Sequence, residues 1–100
     1  MDNILATLGL CRRAGKLICG FDAVMGEVKD NAGKVGGVLI ASDLSEKTKK
    51  EVRFGCSKAG VGVTEIPETL DELKEATGKR TGVFAVLDDG LYGSIIKNIH

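Results

Sequence analysis

Two uninterrupted apolar runs, Val38-Leu39-Ile40-Ala41 and Gly82-Val83-Phe84-Ala85-Val86-Leu87, constrain this chain more than any other feature. Neither alternates with polar residues, so each predicts a strand covered on both faces. Such strands need helices on both sides, and the segments around them have helical spacing. Ile4, Leu8 and Cys11 form one stripe, widened by Leu5. Val24 and Val28 follow from Phe21, with Met25 and Ala32 alongside, and that helix stops near Gly33. Val52, Cys56 and Ala59 mark a third helix ending at Gly60, and Leu70 and Leu73 a short fourth ending at Gly78. Leu91, Ile95 and Ile99 mark a last one.

Local signals place the ends. Asp2 or Asn3 caps the first helix, Ser45 the third and Asp88 or Asp89 the last. Thr69-Leu70-Asp71-Glu72 has the capping-box pattern. Arg12 and Arg13 suit a helix C-terminus, and Gly15 suits the left-handed residue that follows one. Residues 16–19 predict a short strand, residues 34–37 a turn and residues 61–64 a weaker strand. Helices and strands thus alternate throughout, which predicts a three-layer α/β/α sandwich. At 100 residues the chain reads as a single domain, 1–100, without an internal linker.

Several function classes drop out. Gly15-Lys16 resembles the end of a phosphate-binding loop, but Gly9 is one residue too far upstream and Leu17 replaces the Ser or Thr that would hold magnesium. The only histidine is the terminal His100, so no Ser-His or Cys-His pair is available for nucleophilic catalysis. Asp88-Asp89 reads as a cap rather than an acid–base pair. The three cysteines lack C-x-x-C spacing and read as small buried hydrophobes in a reducing compartment. No enzyme, metal or cofactor is expected. No apolar run is long enough to span a membrane, and Met1-Asp2-Asn3-Ile4 lacks the basic start of a secretory signal, so the cytoplasm is the expected location.

Lys and Arg total 14 against 14 Asp and Glu, which argues against a strongly cationic, non-specific nucleic-acid binder. The charge is nonetheless uneven. Residues 1–20 and 43–58 are locally basic, and a fold bringing both segments to one face would make a broad cationic surface. Arg12, Arg13 and Lys16 crowd a tight turn just before a helix that starts after Gly20. Unpaired N–H groups and a partial positive charge make a helix N-terminus suited to phosphate. The competing reading is that the two arginines only complement the end of the first helix. Lys47, Lys49 and Lys50 read as a solvated helix face. Gly78-Lys79-Arg80-Thr81 is a basic loop. Phe21, Phe54, Phe84 and Tyr92 are too scattered for a base-stacking platform.

Taken together, Arg12-x-Ala14-Gly15-Lys16-Leu17 with Gly20, Val38-Leu39-Ile40-Ala41-Ser42-Asp43, and Leu73-x-x-Ala76-x-Gly78-Lys79 resemble the kink-turn RNA-binding ribosomal proteins. These are the large-subunit proteins seven-Ae and thirty-e, with small bacterial relatives of the YlxQ-like branch. The resemblance covers nearly the whole chain. It implies a mixed four-stranded sheet between helices and no cofactor. It also implies that Gly20, Phe21, Asp22 and Ala23 enter the widened groove of a kinked RNA. Lys79, Arg80 and Thr81, with Gly78, would touch the bulged nucleotides, and Lys16 would approach phosphate. Strong binders of the family have Gly-x-Asn-Glu-x-x-Lys at that helix start, where this chain has Gly20, Asp22, Ala23 and Gly26. Ile18 and Cys19 stand where binders tend to carry further lysines.

The expectation is therefore a monomeric, non-enzymatic RNA-binding protein, ribosomal or ribosome-associated. It would recognise a structured, kink-turn-like RNA, foremost ribosomal RNA, with weakened base readout. Arg12, Arg13, Lys16, Lys79 and Arg80 would position phosphates. Neither DNA nor a membrane is an expected partner. The alternative is a protein-interaction module on the same fold that has lost the RNA site.

Overall fold

The two apolar runs lie side by side in the middle of one sheet. In the computed structural model, which describes residues 4–99, β2 (Gly37–Ile40) and β4 (Val83–Val86) pair antiparallel, with Val38 opposite Ala85 and Leu39 opposite Phe84. Every residue of both strands is buried. β1 (Leu17–Cys19) pairs antiparallel with the outer side of β4, and β3 (Val63–Glu65) runs parallel to β2. The sheet is thus mixed and four-stranded, in the order β1-β4-β2-β3.

Successive strand residues point to opposite faces, and this alternation sorts the core into two halves. Leu39, Phe84 and Val86 pack with Ile4, Leu8 and Cys11 of α1 (Ile4–Arg13), Leu73 of α4 (Leu70–Thr77) and Ile95 of α5 (Asp89–Lys97). Val38, Ile40, Val83 and Ala85 pack with Val24 and Val28 of α2 (Phe21–Asn31) and Val52 and Cys56 of α3 (Glu46–Ala59). The result is the three-layer α/β/α arrangement. α1 and α3 lie on opposite sides of the sheet, so the two locally basic segments do not share a face.

Most ends fall where local chemistry places them. Ser45 accepts from the Thr48 N–H, Thr69 and Glu72 form a reciprocal capping box, and Asp88 rather than Asp89 caps α5 by accepting from the Leu91 N–H. Gly15, Gly60 and Gly78 all have positive φ just past helix ends. The proposed caps Asp2 and Asn3, like His100, lie outside the described residues.

Three expectations need correction. Residues 34–37 are not a simple turn: a 3₁₀ turn spans Ala32–Lys34, and Gly37 already belongs to β2. Gly36 and Gly37 are there for close approach. A Cβ on Gly36 would stand 2.8 Å from the Asp88 carbonyl oxygen, and one on Gly37 would overlap the Tyr92 ring. Second, the third strand starts at Val63 rather than Val61, because the Val61 N–H is used to close the end of α3 on the Cys56 carbonyl (2.9 Å). Third, Lys49 is not solvated. It is 7% exposed and donates from Nζ to the Ser42 carbonyl (2.9 Å), with Glu65 and Glu46 at 3.3 and 3.5 Å. It continues the Val52–Cys56 stripe by one turn. Tyr92 and Ile95, flanked by Leu91 and Ile99, carry the buried stripe of α5. No helix among the described residues is long and apolar enough to cross a membrane.

Candidate nucleic-acid interface

The way α1 ends decides where its arginines go. Gly15, at φ 70°, donates to the Arg12 carbonyl (3.1 Å), and Lys16 donates to the Cys11 carbonyl (2.8 Å). These paired bonds satisfy the last carbonyls and turn the chain into β1. Helical side chains lean back toward their own N-terminus. The Arg12 guanidinium accordingly rests against Gly78, 3.3–3.4 Å from where a Cβ there would stand, and Arg13 Nη1 lies 3.5 Å from the equivalent point at Gly9.

β1 leads into a second element of the site, the start of α2. Gly20 has φ 103° and ψ 144°, a conformation that side-chain-bearing residues rarely adopt. Its N–H donates to the Val83 carbonyl (2.9 Å) and its carbonyl accepts from the Val24 N–H (2.9 Å). α2 therefore begins without a side-chain cap, whereas α3, α4 and α5 are capped by Ser45, Thr69 and Asp88. The N–H groups of its first turn thus have no side-chain cap at the positive end of the helix dipole. Asp22 and Ala23 are exposed there. Phe21 is half-buried against the α2–α3 core, which makes it an anchor for the helix start.

Residues 78–81 join α4 to β4. Gly78 takes the left-handed conformation (φ 78°). Thr77, 3% exposed, donates from Oγ1 to the Leu73 carbonyl (2.8 Å) and accepts from the Lys79 N–H (3.3 Å). The Thr81 N–H donates to the Lys79 carbonyl (3.0 Å), and Arg80 Nε donates to Asp71 Oδ1 (3.0 Å). These bonds hold the loop shape while Lys79 stays exposed.

Antiparallel pairing of β1 with β4 brings the three pieces together. Cys19 faces Phe84, so the chain leaving β1 through Gly20 meets the chain entering β4 from residues 78–82. Arg12 and Lys79 stand close enough to Cys19 that their charges oppose the rise in thiol pKa that burial imposes. Arg12, Arg13 and Lys79 form no ion pair among the described residues, whereas Arg80 is engaged by Asp71.

Lys16 is not brought into this cluster. It sits at the opposite end of β1 from Gly20, where its carbonyl accepts from the Leu87 N–H (2.9 Å), and it lines a hollow with Lys34, Asp88 and Asp89. Sequence reasoning missed Thr77, whose 70-73-77 spacing was the available signal. It also missed the seat that Gly78 offers Arg12, which no local pattern reveals. No group of three His, Cys, Asp or Glu able to hold a metal ion occurs among the described residues.

Comparison with known proteins places this geometry in context. Residues 2–93 match the ribosomal protein L7Ae/L30e/S12e/Gadd45 family. The chain is 35% identical over 83 residues to the RNA-binding protein YlxQ of Enterococcus faecium, covering 83% of this chain and 78% of the relative. To the RNA-binding protein YlxQ of Bacillus subtilis (strain 168) it is 33% identical over 90 residues, covering 89% and 87%. A solved structure of a protein of unknown function from Bacillus halodurans superposes with a TM-score of 0.86 at 29% identity, covering 99% of this chain and 98% of that one. The Giardia lamblia 15.5kD RNA binding protein, at 20% identity and a TM-score of 0.72, covers 95% of this chain and 80% of its own and shares the fold.

Proposed function

This chain belongs to the ribosomal protein L7Ae/L30e/S12e/Gadd45 family, and from that premise we propose that it is a non-enzymatic protein that binds structured, kink-turn-like RNA. The observation that carries the proposal is the convergence of Arg12, the uncapped start of α2 and the Lys79 loop at one end of the sheet. Each supplies a different phosphate contact. The α2 N–H groups offer directed donors, Arg12 a planar bidentate fork, and Lys79 a mobile point charge on a fixed backbone. The two relatives named as RNA-binding proteins support the same reading.

Base readout by this surface is weak. Asp22 can accept a hydrogen bond from a base amine but repels phosphate, and Ala23 and Gly26 offer no side-chain donor. Affinity then rests on phosphate contacts, falling steeply with salt and discriminating modestly among RNAs. The protein acts as a cytoplasmic monomer on ribosomal RNA or a ribosome-associated RNA. The test is titration of a kink-turn RNA, and of a control with its G·A pairs disrupted, at several salt concentrations. Preference for the kink-turn supports the proposal. Equal weak binding to both would remove kink-turn recognition, and no binding to either would remove the RNA function.

A further inference from the structure

The outer face of the α2–α3 layer carries a groove that the RNA surface does not use. Met25, Val28, Phe54 and Ala59 supply its apolar walls, with a volume of about 490 Å³. Phe54 is 67% exposed, more than any other large hydrophobic residue described. Met25 Cε packs directly on Gly55, where a Cβ would overlap it, so the glycine seats this wall of the groove. Glycine weakens the interior of a helix, so its presence in α3 is a cost to local structure that makes room for the Met25 side chain. Lys29 and Lys58 stand on the rim, the Lys58 ammonium 5.2 Å from the centre of the Phe54 ring.

We propose that this groove docks an acidic, amphipathic segment of a partner protein. One large apolar side chain would enter between Met25 and Phe54, and carboxylates beside it would meet Lys29 and Lys58. Charge selects this occupant. No carboxylate lines the groove, and neither lysine is in an ion pair among the described residues. A second copy docked through the same patch would bring like charges together. RNA would satisfy the lysines but leave an apolar floor unmatched.

The test is selection of a random displayed peptide library against the full-length protein, followed by affinity measurement of the recovered peptides. Recovered peptides should combine a large apolar residue with net negative charge. Gly55→Ala, which displaces the Met25 methyl from its seat, and Phe54→Ala should each weaken them about tenfold. Gly55→Ala also raises helix propensity, so its thermal unfolding should show that lost binding is not lost folding. Lys29→Glu with Lys58→Glu should abolish binding of acidic peptides, while Arg12→Ala should leave it unchanged. The proposal is overturned if no peptide is recovered, or if those recovered are basic or indifferent to Gly55→Ala. It is equally overturned if the groove amides respond instead to a single-stranded RNA oligonucleotide or to protein concentration.

Discussion

The hydroxyl of Thr77 contacts the Leu73 carbonyl and the Lys79 N–H, so one buried atom ties the end of α4 to the cation beyond it. Thr77→Val keeps the shape and removes both bonds. We expect it to cost about 1–3 kcal/mol in urea unfolding and to weaken RNA binding, with Thr77→Ser restoring both. The same separation of placement from charge applies to the cations. Arg12→Ala and Lys79→Ala should each lower the salt dependence of RNA binding by about one phosphate contact. Lys16→Ala should leave it unchanged, because Lys16 lies beside Asp88 and Asp89 at the other end of β1. Burial raises the Cys11 and Cys56 thiols above the ordinary 9.0, with Asp88 adding to the effect at Cys11. Burial also raises Tyr92 above 10.0, against a hydrogen bond with Thr64 that lowers it. In each case the folded state keeps a proton that the unfolded chain releases. Stability from these groups is therefore complete below pH 9 and declines as pH rises through their folded-state values. Urea midpoints measured from pH 7 upward should fall in that range, and a flat profile would contradict the burial of these groups.

Elements began and ended where a few neighbouring residues could satisfy the backbone. Ser45, Thr69 and Asp88 each bond an N–H within the first turn of their own helix, so sequence spacing located the first two and narrowed the third to Asp88 or Asp89. The reading failed where an element's edge depended on a distant segment. Gly36 and Gly37 look like turn residues, yet they are needed because α5 crosses directly over the start of β2. Gly37→Ala should destabilise the protein by about 3 kcal/mol, since overpacking a fully buried strand leaves little room to relax. Adding Tyr92→Leu should make the two changes clearly non-additive in denaturant unfolding, because the pair is in direct contact. Lys49 is the same lesson on a helix. Among its neighbouring lysines it reads as solvated, but the Ser42 carbonyl and Glu65 carboxylate that pair it come from β2's exit and β3.

At the scale of the molecule, the sheet divides the charge. The cations of α1 and the Lys79 loop lie at one end of the β1–β4 edge, while the lysines of α3 belong to the layer across the sheet. At physiological salt, charges more than about 8 Å apart are largely screened. Reversing Arg12 and Lys79 together to glutamate should therefore abolish RNA binding, as read by titration at 0.15 M salt. By itself the sequence determined the alternation of helices and strands, the two buried strands and most helix caps, because periodicity and capping act over a few residues. Only the tertiary structure decided that Arg12 and Lys79 share a corner and Lys16 does not, that Lys49 is buried, and that Gly37 must lack a side chain. Those outcomes follow from the strand order β1-β4-β2-β3, which joins segments far apart in the chain. Such contacts depend on register and on which face each helix covers, and no local pattern encodes either.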